Sequence, residues 1–391
     1  MSSTKYSISE ILNELGENRE DYFQAVAPPI IQSSNFHFKT LNSFRDKIVN
    51  EWTSNIYTRG NNPTVHILRK KIAALEGAED SIITGSGSAA IAMAVISQVK
   101  AGDHVICIQN PYSWTFKLLT NLLARFGVES TFIDGTDNSN FVKAAKENTR
   151  LIYLESPNSL TFEVQDLSFV ANFAREKNII TAIDNTHCTP IYQNPLSFGI
   201  DIVIHSASKY LNGHSDILGG VICANNHIIR QIAKQEYMIL GSIISPNDAF
   251  LMIRGLRTLA LRVERSDSSC RYIVDHLAQN PKIKKIYYTQ DPNHPQASLI
   301  KSQMKGNGGL FSLELNTDSM QEVEDFVHSL RHFLFAVSWG GHESLIFPTC
   351  AFYGVQGIKP YLPFQFIRFY IGLEDRDLLL QDIIQALDKI N

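Results

Sequence analysis

A chain of 391 residues is long enough for two or three domains, and 44% hydrophobic with 19% charged residues is the composition of a globular protein with a large core. The net charge of −4 provides no electrostatic attraction for nucleic acid or an anionic membrane surface. No apolar run is long enough to span a bilayer, and the N-terminus lacks a basic region followed by an apolar core, so the expected location is the cytoplasm. Five cysteines, several within apolar runs and without paired spacing, read as reduced core residues.

Residues 7–16 read as a short amphipathic helix with a capping box (Ser7, Glu10), one apolar face (Ile8, Ile11, Leu12, Leu15) and Gly16 at its end. Pro28 and Pro29 exclude regular helix between Ala25 and Phe38, and an apolar arm of this kind is expected to lie on another surface, such as a second subunit. Asn62 and Pro63 open a helix whose apolar residues repeat to Gly77. Capping does not account for Tyr57 and Arg59 just before it. Two apart in an extended segment, they face the same way and suit a phosphate, or form a surface pair.

The run 81–84 reads as a strand leading through Gly85-Ser86-Gly87-Ser88 into an apolar helix, an arrangement that receives phosphate on backbone N–H groups. It also fits a dinucleotide fingerprint. The next strand, His104 to Gln109, carries no acid at its C-terminal end to hold a ribose, which disfavours NAD. Further strands end at Glu155 and at Asp184, with helical patterns between them. Alternation of this kind predicts an α/β fold with a mainly parallel sheet, which binds ligands at the C-terminal strand edge. Tyr112, Glu155, Asp184 and Lys209 all fall at that edge.

Lys209 follows the apolar run 200–204 and stands among Ser206, Ser208 and glycines, with no neighbouring cation. A desolvated lysine offers a free amine for a Schiff base, and the serine hydroxyls offer donors for an anion. Both suit pyridoxal 5′-phosphate; an exposed strand-end lysine is the alternative. Asp184 would keep a pyridine nitrogen protonated, and Tyr112 would stack on the ring. His187, Cys188, His205 and His214 match no usual metal-ligand spacing, so no metal is expected.

After Pro246 a long helical run, 247–262, precedes alternating strands and helices, which reads as a smaller C-terminal α+β domain. The expected division is 1–52 for the N-terminal helix and arm, 53–245 for a large domain and 246–391 for the small one. Arg368, on a strand amid aromatics, calls for a partner: a substrate carboxylate or a structural acid.

These segments resemble the Cys/Met-metabolism PLP-dependent enzymes. The resemblance is carried by Tyr-Thr-Arg-x-x-Asn-Pro-Thr (57–64), Ala-Ala-Leu-Glu-Gly-Ala (73–78), Ser-Gly-x-Ala-Ala (86–90), Glu-Ser-Pro (155–157) and Asp-Asn-Thr (184–186). It continues through Ser-Ala-Ser-Lys-Tyr-Leu-x-Gly-His-Ser-Asp (206–216), Arg-Gly-Leu-Arg-Thr-Leu (254–259), Gly-Gly-x-Glu-Ser-Leu (340–345) and Ile-Gly-Leu-Glu-Asp (371–375). It implies a fold-type-I, aspartate-aminotransferase-like enzyme, usually a homotetramer built as a dimer of dimers. By matching position Lys209 would be the Schiff-base lysine and proton carrier, Asp184 the pyridine partner and Tyr112 the stacking ring. Ser86, Gly87, Ser88, Ser206 and Ser208 would hold the phosphate, and Tyr57 and Arg59 would reach in from a neighbouring subunit. Arg368 and Ser338, with Glu155, would serve the substrate. The implied activity is carbon–sulfur lysis of an amino acid thioether, foremost β-elimination from cystathionine, with γ-elimination or γ-replacement as the alternative. A purely regulatory PLP-binding protein is disfavoured by the intact residue set.

Four positions depart from the family pattern: Ser159 in place of an asparagine, Ser113 and Trp114 after Tyr112, and Val337 where γ-acting members tend to carry Glu. Trp114 and Trp339 are expected to form a bulky apolar pocket rim, and a Glu at 337 to be a buried charge.

Overall fold

The computed structural model describes residues 6–391; residues 1–5 of the expected N-terminal segment lie outside the described residues. Seven strands form the larger sheet: β1 (Asp80–Thr84), β2 (His104–Ile108), β3 (Glu129–Ile133), β4 (Thr149–Glu155), β5 (Ile180–Asp184), β6 (Ile202–Ser206) and β7 (Gly220–Ala224). Their order is β1-β7-β6-β5-β4-β2-β3, with β7 antiparallel to both neighbours and the other pairs parallel. β1, β2, β4, β5 and β6 therefore end at one edge, as the polar residues after them required. Their near-continuous burial reflects helices on both faces.

On one face the helix Gly87–Ile96 packs Ala90, Ile91 and Val95 against Ala182 and Ile204. On the other, the helices Pro63–Glu76 and Leu167–Glu176 pack Leu68, Ile72 and Val170 against Ile183 and Val203. The expected run 247–262 is two helices, Pro246–Leu256 and Leu259–Leu277. The break has a specific cause. Arg262 folds back so that its Nη2 donates to Gly255 O (2.8 Å) and its Nε to Thr258 Oγ1 (3.0 Å), taking the carbonyl that would have continued the helix. The first of the two helices buries Ala249, Met252 and Leu256 in the core of the large sheet. Gly255 is required there, because a Cβ would sit 2.2 Å from Asn212 O in the loop after Lys209.

A second sheet holds β8 (Ile283–Tyr287), β9 (Leu310–Leu315), β10 (Leu334–Phe335), β11 (Leu345–Pro348) and β12 (Phe366–Tyr370), in the order β10-β11-β12-β9-β8. Its core joins Phe311 and Phe369 to the helices Leu259–Leu277, Met320–Ser329 and Arg376–Leu387.

The N-terminal helix is shorter than expected, Ile8–Asn13 with the capping box intact, and it leaves Ile8 exposed. Lys71 explains the early end: its buried Nζ donates to Ile11 O (2.9 Å) and Leu12 O (3.2 Å), closing the helix, and pairs with Glu17 (3.0 Å). The arm from 25 to 38 has no regular structure beyond a bridge between Asn35 and Tyr57. It leads to a helix, Leu41–Ile48, that buries none of its residues against the rest of the chain. No helix among the described residues is long and apolar enough to cross a membrane.

Candidate active site

β4 and β5 run side by side with Glu155 opposite Asp184, so two carboxylates meet at the sheet edge. Burial, and then each other's charge, hold the Glu155 proton affinity well above the usual carboxylate range; a hydrogen bond from the Tyr112 amide to Glu155 Oε1 (2.7 Å) opposes this. Asp184 is likewise raised by burial, against hydrogen bonds from the amide and hydroxyl of Thr186 to its Oδ1. No donor among the described residues reaches Asp184 Oδ2. A pair in this state attracts a cation such as a protonated ring nitrogen.

Lys209 lies just past β6, half-buried, with Nζ donating to Ser338 Oγ and 5.6 Å from the Trp339 ring centroid. Desolvation, then the positive charge of Arg368, lower its pKa to about 8, while Asp184 opposes the shift. The uncharged amine that a nucleophile and proton carrier needs is therefore reached closer to neutral pH than in an ordinary lysine.

Ser86 caps the helix Gly87–Ile96 by accepting from Ala89 N (3.1 Å), and the end of β6 closes against it. A Cβ at Gly87 would lie 2.7 Å from Ser206 Oγ, so a side chain there would fill the space between the helix N-terminus and Ser206. Ser88 is exposed, and Ser208 Oγ accepts from Gly219 N (3.0 Å). The ten-residue helix, the two flanking hydroxyls, the lysine of lowered proton affinity and the open Asp184 oxygen together fit pyridoxal phosphate from phosphate to ring nitrogen.

Arg368, on β12, is 7% exposed, and its guanidinium donates only to the main-chain oxygens of Ser159 (3.3 Å) and Ser338 (3.0 Å). No carboxylate among the described residues pairs with it, and burial lowers its pKa to about 10. Ser338 is held at φ +88°, a conformation costly for a non-glycine residue. Gly340, also at φ +88°, lets this loop press on the Lys209–Tyr210 backbone, where a Cβ would come within 2.7 Å of Tyr210 N.

Lys209, Ser338 and Arg368 thus form one cluster, with Asp184, Glu155 and the Tyr112 backbone behind it. The Tyr112 ring is exposed at the edge. Tyr57 and Arg59 stand apart: Arg59 lies 5.5 Å from the Tyr57 ring, both are exposed, and no described contact joins either to the cluster. Trp114 is exposed, as a rim residue would be, but Trp339 is buried between Tyr210 and His187 as a floor under Lys209. Val337 is 72% exposed, so a Glu there would face solvent rather than a buried wall. Of the four candidate metal ligands, His205 pairs with Glu76, His214 bonds Asn212 O, and His187 packs on Phe162. Sequence reasoning missed the bonding of Thr186 to Asp184, although Thr186 belongs to the Asp-Asn-Thr motif.

A family profile described as Cys/Met metabolism PLP-dependent enzyme matches residues 11–388. An L-methionine gamma-lyase of Fusobacterium nucleatum subsp. nucleatum is 36% identical over 95% of both chains. Cystathionine beta-lyase MetC of Bacillus subtilis is 35% identical over 94% of this chain and 92% of that one. The crystal structure of metB from Corynebacterium glutamicum superposes with a TM-score of 0.92 at 31% identity, covering 99% of each chain.

Proposed function

Because this chain belongs to the Cys/Met metabolism PLP-dependent enzymes, we propose that it is a carbon–sulfur lyase cleaving cystathionine by β-elimination to homocysteine, pyruvate and ammonia. The observation that carries the reading is Arg368, a buried guanidinium in the Lys209 cluster with main-chain partners only. It is the place for the carboxylate of an amino acid substrate, because a carboxylate offers the bidentate pairing that two lone carbonyls do not.

When bound, pyridoxal phosphate supplies the aldehyde that Lys209 engages and withdraws electrons from the substrate Cα. The phosphate end belongs to Ser86, Gly87, Ser88, Ser206 and Ser208, and Asp184 holds the ring nitrogen. Arg368 and Ser338 fix the substrate carboxylate and so aim Cα at the Lys209 amine. Freed when the substrate amine takes its place at the aldehyde, the Lys209 amine would remove the Cα proton; the thiolate would leave from Cβ, and water would then release pyruvate and ammonia. Glu155 holds the Tyr112 amide, placing its ring over the same edge. Tyr57 and Arg59 complete the phosphate end of a partner's site, in a homotetramer built as a dimer of dimers in the cytoplasm. The domains divide at 52 and 245, with the helix Pro246–Leu256 bridging to the large sheet.

γ-Elimination or γ-replacement is the second reading, favoured by the comparable similarity to the protein named L-methionine gamma-lyase. It needs a second proton removal, at Cβ, which β-elimination does not. Measuring pyruvate and 2-oxobutyrate from one cystathionine digest separates the two readings. Pyruvate is expected to dominate; a 2-oxobutyrate majority would establish the second.

A further inference from the structure

Behind Asp184, on the opposite face of the sheet, lies a buried acid–imidazole pair that the reaction above does not use. Side chains alternate along a strand. Ala182 and Ile204 belong to the core beneath the helix Gly87–Ile96, and Asp184 continues that face of β5. Ile183 and Val203 belong to the other core, and His205 continues that face of β6. Glu76, the last residue of the helix Pro63–Glu76, reaches the same place. Its Oε1 lies 2.5 Å from His205 Nε2 and accepts from Asn185 Nδ2 (3.1 Å), the residue directly after Asp184. Asn185 also donates to Gln193 O (2.9 Å), and Gln193 Nε2 donates to Asn185 Oδ1 (3.0 Å) and Ser156 O (2.8 Å). The chain following Glu155 and that following Asp184 are thereby tied to the end of one helix.

Both members are about 1% exposed, and each keeps an unpartnered buried atom, Glu76 Oε2 and His205 Nδ1. Apolar residues would fill this site at lower cost. The groups near Glu76 are the thiols of Cys188 and Cys223, both held neutral by burial, and His205 is the one basic group paired with it among the described residues. Asp184 is faced by His205 through the sheet, by Lys209 and Glu155 at the edge, and by the Tyr153 phenol.

We infer that Glu76 and His205 are positioning residues: an ion pair whose imidazolium, acting through the sheet, keeps Asp184 ionised against its buried neighbour Glu155. This rests on the assignment of Asp184 to the cofactor ring nitrogen. Glu76 supplies the counter-charge that lets an imidazolium persist without water, and Asn185 holds the strand end in register with it.

The test uses the holoenzyme and a doubly neutral variant, Glu76→Gln/His205→Gln, which keeps the shape of the pair and leaves no unpaired charge. With 15N-labelled histidine, both His205 ring nitrogens of the wild type should carry protons at neutral pH, the resonance being assigned by its loss in the variant or in His205→Gln. With 15N-labelled pyridoxal phosphate, the ring nitrogen should be protonated in the wild type and lose proton occupancy in the double variant. The cofactor dissociation constant should rise about tenfold, the equivalent of one pKa unit at Asp184. A bare His205 nitrogen in the wild type overturns the inference even if the variant fails to fold. So does a folded variant with unchanged cofactor affinity and ring protonation. A wild type in which borohydride fixes no cofactor to Lys209 defeats the site assignment instead, and that result is read independently of the His205 ring.

Discussion

Two buried arginines divide the molecule into a region that is finished and one that is not. Arg69, in the helix Pro63–Glu76, lies 3.5 Å over the Trp52 ring and bonds both oxygens of Asp80 (3.0 and 2.7 Å), Ser81 O and Trp52 O. Arg368 is as well buried but has two carbonyl oxygens and the Phe347 ring, 5.1 Å away. Burial lowers the proton affinity of both, and only around Arg69 does a carboxylate oppose it. Desolvating a guanidinium is costly, so a protein that leaves one without an anion gains something other than stability. The first arginine holds helix to strand; the second is set for a ligand. A third region, Tyr57 with Arg59 and the exposed helix Leu41–Ile48, is complete in neither sense within one chain.

The largest effect that can break this division is loss of the amine in the unfinished region. Lys209→Ala should abolish turnover while melting cooperatively, since no structural bond beyond that to Ser338 is lost. Arg59→Ala should also be inactive, but for a reason outside its own chain. Mixing the two under subunit exchange should restore activity, because a hybrid dimer then holds one site with both residues. Confirmed exchange with no recovered activity would remove Arg59 from the partner's site.

A sharper comparison substitutes the two arginines alike. Arg69→Met should destabilise the protein by about 3 kcal/mol, the cost of leaving a largely buried acid unpaired. Arg368→Met should leave the melting temperature of the ligand-free protein level or higher, yet raise KM about tenfold to hundredfold, as loss of a charge-assisted bond worth ~1.5–3 kcal/mol requires. Equal destabilisation of both would make Arg368 a structural residue.

The smallest effect is on pH. The Lys209 pKa is lowered to about 8, so between that value and the ordinary lysine range near 10.5 the unfolded chain binds more protons than the folded one. Stability of the cofactor-free protein should therefore rise with pH across this window, and Lys209→Met should remove that part of the rise. Denaturant melts at several pH values measure the difference between the two proteins. An unchanged slope would place the Lys209 amine in ordinary solvent.

How much of this was legible in the sequence depended on range. The strand-end position of Glu155, Asp184 and Lys209 follows from apolar runs and the polar residues after them, because a parallel sheet forces those ends together. The capping box at Ser7 and the cap at Asn62 are local rules, and both hold. What failed was set by distant side chains. Arg262 breaks the helix near Thr258, Lys71 ends the first helix by capping its carbonyls, and Trp339 lies beneath Lys209 because Tyr210 and His187 enclose it. Strands β3 and β7 carry no strong alternation; they are strands because β2 and β6 present open edges to them. The two acceptors of Arg368 are main-chain oxygens of loops 209 and 30 residues away in sequence, which no motif encodes.

The measurement closest to the central claim is borohydride reduction of the purified protein supplied with pyridoxal phosphate, followed by peptide mass mapping. A visible absorbance band should be bleached on reduction and the cofactor mass fixed on the peptide containing Lys209, with no fixation in Lys209→Ala. A cofactor fixed to another lysine, or no band and no fixation, would contradict the claim.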